Sequence, residues 1–454
     1  MAEVHTLSRC VIKPSQPENR QEKQHDQVLH LTPWDLRLIP IEYIQYGILF
    51  SKPPDATNDA IISFINQLKT SLSIALGHFY PLAGRLNIFR HHEATTPFVT
   101  ISLTCNNEGA EFIHAVTTRK FTTSEIIESF IVPPLVQLFF PLNKVKNHEG
   151  NSQPLLAIQV TELADGVFLG CSLNHVIGDG FSFWHFINCW SEISRTGNLK
   201  VANPPVLDRY FFGSLTSPIH LPLMDVEDII KVRDNFDLPS LEEGVFHFSA
   251  QTIAKLKAKA NTEMNTNNIS SLQALLAHVW RSITIARSLE QHQVTSFYLI
   301  LGCRPRLNHP LPVTYFGSAI LVTDPTKLTA GELVEGSLGS TASMLNHVVA
   351  SMTATKIQNF IEKWPETVSF SNLGRCTPCD LVSEGSHRFD IYWNDFGLGK
   401  PIAVRSGIAN KFDGAVTIYP SPQMGGITLE ICLSPSVLMK LIENHDFMDT
   451  VAHF

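Results

Sequence analysis

The chain has 454 residues, 44% hydrophobic and 17% charged, which is enough apolar material for about two large domains and argues against disorder over most of its length. Its formal net charge of −8 lacks the basic excess of a nucleic-acid binder. No stretch approaches the ~18 uninterrupted apolar residues of a membrane-spanning helix.

From the N-terminus, residues 1–24 are polar, without the apolar core of a secretory signal, and the C-terminal "VAHF" matches no retention or peroxisomal address. A cytoplasmic protein is expected. Apolar residues at helical spacing predict a helix over 60–76, broken by Pro81 and Gly84. Residues 97–105 read as a strand, and 154–175 as two strands turning at Ala164–Gly166. Residues 181–195 form a helix with Phe183, Ile187 and Trp190 on one face. From 196 to 240, Pro204, Pro205, Pro218 and Pro222 prevent regular structure and suggest a long crossover between halves.

The second half restarts with a strand at 245–249 and a helix carrying Lys255, Lys257 and Lys259. On that helix 255 and 259 share a face and 257 does not. Residues 270–289 are an amphipathic helix capped by Ser270 or Ser271. A buried strand at 295–304, a mostly helical 331–352, a hairpin turning at Gly425–Gly426 and a closing helix complete an α/β layout with mixed sheets. The eight cysteines are scattered, as small core residues are in a reducing compartment. Cys376 and Cys379 form the one Cys-x-x-Cys pair. With no second pair or His-x-x-x-His nearby, no metal site is expected, and a redox role is a minor alternative.

One stretch concentrates chemistry. "LNHVIGDGFS" (173–182) places His175 at a strand end and Asp179 four residues later, flanked by Gly178 and Gly180, before a helix opens. The glycines would permit a tight turn with unusual backbone angles. Spacing alone is weak, because His445 and Asp449 repeat it without a preceding strand or glycines. A catalytic histidine and a turn histidine both stay open on residues alone.

Two separated motifs narrow the choice. "HVIGDG" resembles the His-x-x-x-Asp-Gly signature of the plant BAHD acyltransferases, and "DFGLGKP" (395–401) resembles their second signature, Asp-Phe-Gly-Trp-Gly-Lys-Pro. Further similarity lies in "LTPWDL" (31–36), "FYPLAGRL" (79–86), "SSLQALLAHVWR" (270–281), "GCRPRLNHPLPVTYFGS" (302–318) and "ITLEICLSP" (427–435), so it covers nearly the whole chain. The resemblance implies two chloramphenicol-acetyltransferase-like domains with mixed β-sheets and flanking helices, and a channel at their interface. Their expected extents are 1–195 and 241–454, joined by 196–240. Donor and acceptor would enter from opposite faces and meet at His175.

The implied chemistry is acyl transfer from a CoA thioester to a hydroxyl or amine of a specialised metabolite, with His175 as general base. By resemblance Asp179 points away and pairs with an arginine, for which Arg304 is the candidate; on residue type alone Arg304 could be a surface residue. Lys255, Lys257, Lys259, Ser270 and Ser271 are candidates for holding CoA phosphates, although a solvated lysine face fits the residue types equally well. Asp395, Gly397, Gly399 and Lys400 form a supporting loop with indirect effects on CoA. No permanently bound cofactor, nucleic acid or membrane is expected; the partners are a small donor and a small acceptor, and a monomer is expected.

The sequence also departs from the family pattern. Leu398 replaces the tryptophan of the second signature, no tryptophan stands in 385–388 where many members carry Ser-Trp, and Ser318 stands where many carry asparagine. Oxyanion stabilisation would then fall to backbone N–H groups or other donors. A lyase acting on a single metabolite in the same pocket is the alternative. Asn174 disfavours a carrier-protein condensation enzyme, and the presence of His175 disfavours a non-catalytic scaffold.

Overall fold

A computed structural model describes all residues except 1–2, 16–26, 54–56, 214, 216, 224, 228–239, 372–376 and 453–454. Cys376 of the Cys-x-x-Cys pair, and part of the crossover, therefore lie outside the described residues.

Two large mixed sheets organise the chain. The first has six strands in the order Val4–Ile12, Ala110–Thr117, Leu156–Glu162, Gly166–Leu173, Ile44–Ser51, Ala403–Ser406. The second has seven and runs Ile320–Val322, Val294–Gly302, Leu381–Gly385, Ala415–Pro420, Ile427–Leu433, Glu242–Phe248, with Thr326–Thr329 also pairing with Val294–Gly302. A three-stranded sheet of Gln27–His30, Phe98–Cys105 and Arg85–His91 lies beside the first.

Local sequence accounts for these placements. "GVFLGCSL" is a continuous apolar run because both faces of Gly166–Leu173 are buried. "FVTISLTC" alternates because one face of Phe98–Cys105 is only half covered. The helix Gly180–Thr196 buries Phe183, Ile187 and Trp190, and it stops at Gly197, whose left-handed backbone (φ 68°) suits glycine. Ala415–Pro420 and Ile427–Leu433 form the expected antiparallel hairpin.

One expected helix divides. Residues 331–352 become Ala330–Glu335 and Leu338–Ser351. Gly336 leaves the helical path, and the Ser337 side chain accepts the Ser340 N–H to cap a new helix.

The crossover touches both halves. Leu221 pairs with Val99 of the first, and Val206 with Tyr315 of the second. The second half also returns a strand to the first: Ala403–Ser406 runs antiparallel to Ile44–Ser51. A buried ionic cluster lies at that joint. Lys411 Nζ sits 2.9 Å from Glu430 Oε1 and 3.4 Å from Glu243 Oε2, and it donates to Ser406 Oγ at 2.6 Å.

Candidate active site

His175 lies two residues past the end of the buried strand Gly166–Leu173, and side chains from elsewhere in the chain hold its turn. Its N–H donates to Asn147 Oδ1 at 2.7 Å, and Asn174 Nδ2 donates to the Asn147 carbonyl at 2.8 Å. Asn174 Oδ1 in turn accepts the Val176 N–H at 3.1 Å. From the second half, Ser318 Oγ donates to the His175 carbonyl at 3.0 Å.

Asp179 spends its carboxylate on groups other than the His175 ring. Arg304 donates to it through both terminal nitrogens, at 2.6 and 2.9 Å, and the N–H groups of Ala319 and Ser182 donate at 3.0 and 3.1 Å. Burial opposes ionisation here, but the guanidinium and these N–H groups outweigh it and hold the carboxyl below its ordinary range. Arg304 also donates to the Gly317 carbonyl at 2.9 Å. It is a buried clamp between the halves and not a surface residue.

A second buried pair reinforces the clamp. Asp35 Oδ1 accepts the Ser318 N–H at 3.0 Å, and Arg209 Nε lies 3.5 Å from Asp35 Oδ2. Arg209, from the crossover, donates to the carbonyls of Ile177 and Phe316. Sequence reasoning missed this pair. The available signal was "LTPWDL", in which Asp35 closes a capping box with Thr32, but nothing local indicated its arginine.

The glycines act differently from expectation. Gly178 and Gly180 are absent from the left-handed residues. Their requirement is space: a Cβ on Gly178 would meet Ser182 Cβ at 2.7 Å, and one on Gly180 would meet the Phe389 ring at 2.7 Å. Gly397 (φ 110°) and Gly399 (φ 86°) do adopt left-handed angles. Their N–H groups donate to Asp395 Oδ1 at 2.7 and 3.0 Å, so Asp395 closes the loop on itself. That loop packs on the first half: Gln67 Nε2 donates to the Phe396 carbonyl at 3.2 Å, and half-buried Leu398 rests on the first core.

His175 lines two cavities, of about 90 and 410 Å³. The smaller is walled by Tyr46, Phe181, Phe389 and Lys411, the larger by Arg37, Tyr298, Phe360 and Asn410. Glu384 lines both. Burial lowers the imidazole pKa, against the opposing pull of Asp179 and of the His175 and Gly178 carbonyls. Burial likewise raises the Glu384 carboxyl above its ordinary value, although Lys411 and the Thr417 hydroxyl, which donates at 3.0 Å, oppose it. Glu384 was also missed by sequence reading; a carboxylate within a strand of a buried sheet is its one signal.

A third cavity of about 970 Å³ shares Phe389 with the smaller one. Lys257, Ser271, His387 and Lys400 line it, whereas Lys255 and Lys259 lie on another face of their helix. Helical spacing explains this: Ala250, Ile253, Ala254, Lys257, Ala258 and Asn261 form one stripe. Ser270 is spent as the N-cap, accepting the Gln273 N–H at 3.3 Å, so only Ser271 of the pair lines the cavity. Lys400 Nζ sits 3.8 Å from the centre of the Trp393 ring, which is 72% exposed and also lines the cavity.

The architecture matches the crystal structure of vinorine synthase with a TM-score of 0.72 at 21% identity, covering 99% of each chain. It matches TRI101 of F. sporotrichioides, crystallised with coenzyme A and T-2, with a TM-score of 0.69 at 16% identity over 94% of this chain and 99% of that one. The family model described as "Transferase family" matches residues 2–448. An uncharacterized acetyltransferase of Arabidopsis thaliana is 37% identical over 99% of both chains. The chain belongs to the plant BAHD acyltransferase family.

Proposed function

We propose that the protein transfers an acyl group from a CoA thioester to a hydroxyl or amine of a small plant metabolite, with His175 as general base. The observation that carries this reading is that His175 lines two adjoining cavities while Asp179 is locked on Arg304. The imidazole is thereby free to meet an acceptor.

A base must be neutral to take a proton, and burial favours the neutral ring. His175 accepts the acceptor's proton as its oxygen or nitrogen attacks the thioester carbonyl. As the C–S bond breaks, the same proton passes to the departing thiolate. The thioester is already activated, so no covalent enzyme intermediate is required. The 970 Å³ cavity suits a long, phosphate-bearing donor, since Lys257 and Lys400 supply two cations and Ser271 a hydroxyl. The bound coenzyme A of TRI101 supports this use of the fold. Glu384, whose carboxyl burial raises above its ordinary range, lines the same cavities as His175 and, in its protonated form, would be a donor to the developing oxyanion in place of the Ser-Trp that this chain lacks.

The test is CoA release and product mass from a panel of acyl-CoAs and acceptors, beside His175→Ala. A general base contributes about 10²–10⁴-fold, so the variant should lose that factor in kcat while keeping its melting temperature. Equal release by both proteins would refute the reading. One observation favours a second reading: an acid, Glu384, and a base, His175, border the same cavities, as an elimination needs. Conversion of a single substrate with no CoA present would establish that lyase in place of the transferase.

A further inference from the structure

We propose that Arg37 anchors a carboxylate of the acceptor, so that the protein acylates small hydroxy or amino acids in preference to neutral alcohols or amines. The proposal rests on the acyltransferase reading above and names the substrate class for it.

Arg37 follows the short helix Pro33–Leu36 and lines the 410 Å³ cavity that also borders His175. Its guanidinium lies 4.9 Å from the centre of the Phe360 ring, which covers one flat face. Among the described residues no carboxylate pairs with it, and its Nε is buried without a hydrogen-bond partner. The other arginines closest to the site are spent: Arg304 on Asp179 and Arg209 on Asp35.

A cation taken out of water without a counterion is costly, and the structure holds this one in a mostly apolar wall beside Ile41, Ile300, Leu321 and Val322. Burial lowers its pKa to about 10, which still leaves it charged at neutral pH. Among the described residues the wall contains a single carboxyl, Glu384, which accepts from the Thr417 hydroxyl at 3.0 Å and does not pair with Arg37. Arg37 is therefore left to pair with an anionic group on whatever molecule fills the cavity. A guanidinium edge matches a carboxylate in a two-point hydrogen bond, a geometry that no neutral ester or alcohol reproduces. Ser369 and Ser371 lie on the same wall for further polar contacts.

The test uses matched probes, namely 4-hydroxybenzoate, 4-hydroxycinnamate and 4-aminobenzoate beside their methyl esters. Binding is measured by calorimetry on the full-length protein in the presence of CoA, for the wild type, Arg37→Gln and Arg37→Lys, with melting temperatures recorded for each. A charged hydrogen bond corresponds to about tenfold or more in affinity. The acids should bind the wild type at least about tenfold more tightly than the esters. That preference should vanish in Arg37→Gln and return in part in Arg37→Lys. Equal binding of acid and ester, no binding of any acid at millimolar concentration, or a preference that survives Arg37→Gln overturns the assignment. CoA release is followed separately with the same probes and acetyl-CoA. Acid binding through Arg37 without any CoA release would sink the transferase reading alone, and CoA release with esters favoured over acids would sink the carboxylate anchor alone.

Discussion

Burial shifts the imidazole of His175 toward its neutral form. Burial depresses its pKa below the ordinary 6.5, and the partial compensation from Asp179 does not reverse the direction. The base is then competent across neutral pH and is lost only when protonated, so the acid limb of kcat/KM should lie below pH 6.5. A pH profile of CoA release checks this; a limb at or above that value would mean the ring is more open to water than its position indicates. Asp179 works in the opposite sense. Its folded carboxyl sits below the ordinary 3.8, so its contribution to stability is present above that pH and disappears as pH falls through the lower folded value. Asp179→Ala leaves Arg304 buried without its partner, at a cost of about 3–5 kcal/mol. Urea denaturation at neutral pH should show that loss, and activity should fall with it because Ser318, Ala319 and the His175 turn share the same anchor.

Single elements decide which candidates reach the substrate cavities. On the helix Ala250–Glu263 the cavity stripe takes Lys257 and leaves Lys255 and Lys259 in solvent. Lys257→Ala should raise the KM for the acyl-CoA by about fivefold, matching the ~1 kcal/mol of an exposed ion pair, and less at high salt. Lys255→Ala and Lys259→Ala should leave it unchanged, and initial rates at varied donor concentration separate the three. The sequence showed the lysines and their spacing but not which stripe would turn inward. The apolar positions that settle it, Ile253 and Asn261's neighbours, are diluted by alanines. Strand and helix positions were legible wherever burial was one-sided or complete, as in Phe98–Cys105 and Gly166–Leu173. The break at Gly336–Ser337 was hidden because apolar spacing continues through it. Arg304 could be read from its motif. Arg209, Glu384 and Arg37 could not, because their meaning depends on partners, or on the lack of them, more than a hundred positions away in the chain or across a cavity. Gly178 and Gly180 were legible as necessary, but the reason lies in Ser182 and Phe389 and not in backbone angle.

At the scale of the whole molecule, the two halves are locked by more than contact. Ala403–Ser406 belongs by sequence to the second half yet completes the first sheet beside Ile44–Ser51. Ser406 N–H donates to Glu430 Oε2 at 3.1 Å, so that borrowed strand is tied through Lys411, Glu430 and Glu243 to the second sheet. Asp179–Arg304 and Asp35–Ser318 cross the same boundary, both buried. If one half unfolded alone it would strip a sheet of its edge strand and leave several buried charges unpaired, each break costing about 3–5 kcal/mol. Chains of this length with two cores often melt in two steps. Here the shared strand and shared charges should merge them, so scanning calorimetry should give one transition whose van't Hoff enthalpy equals the calorimetric one. Asp179→Ala should lower the temperature of that single transition before it splits it. Two resolved transitions in the wild type would mean that the bridging strand and ion pairs contribute less than either core does by itself.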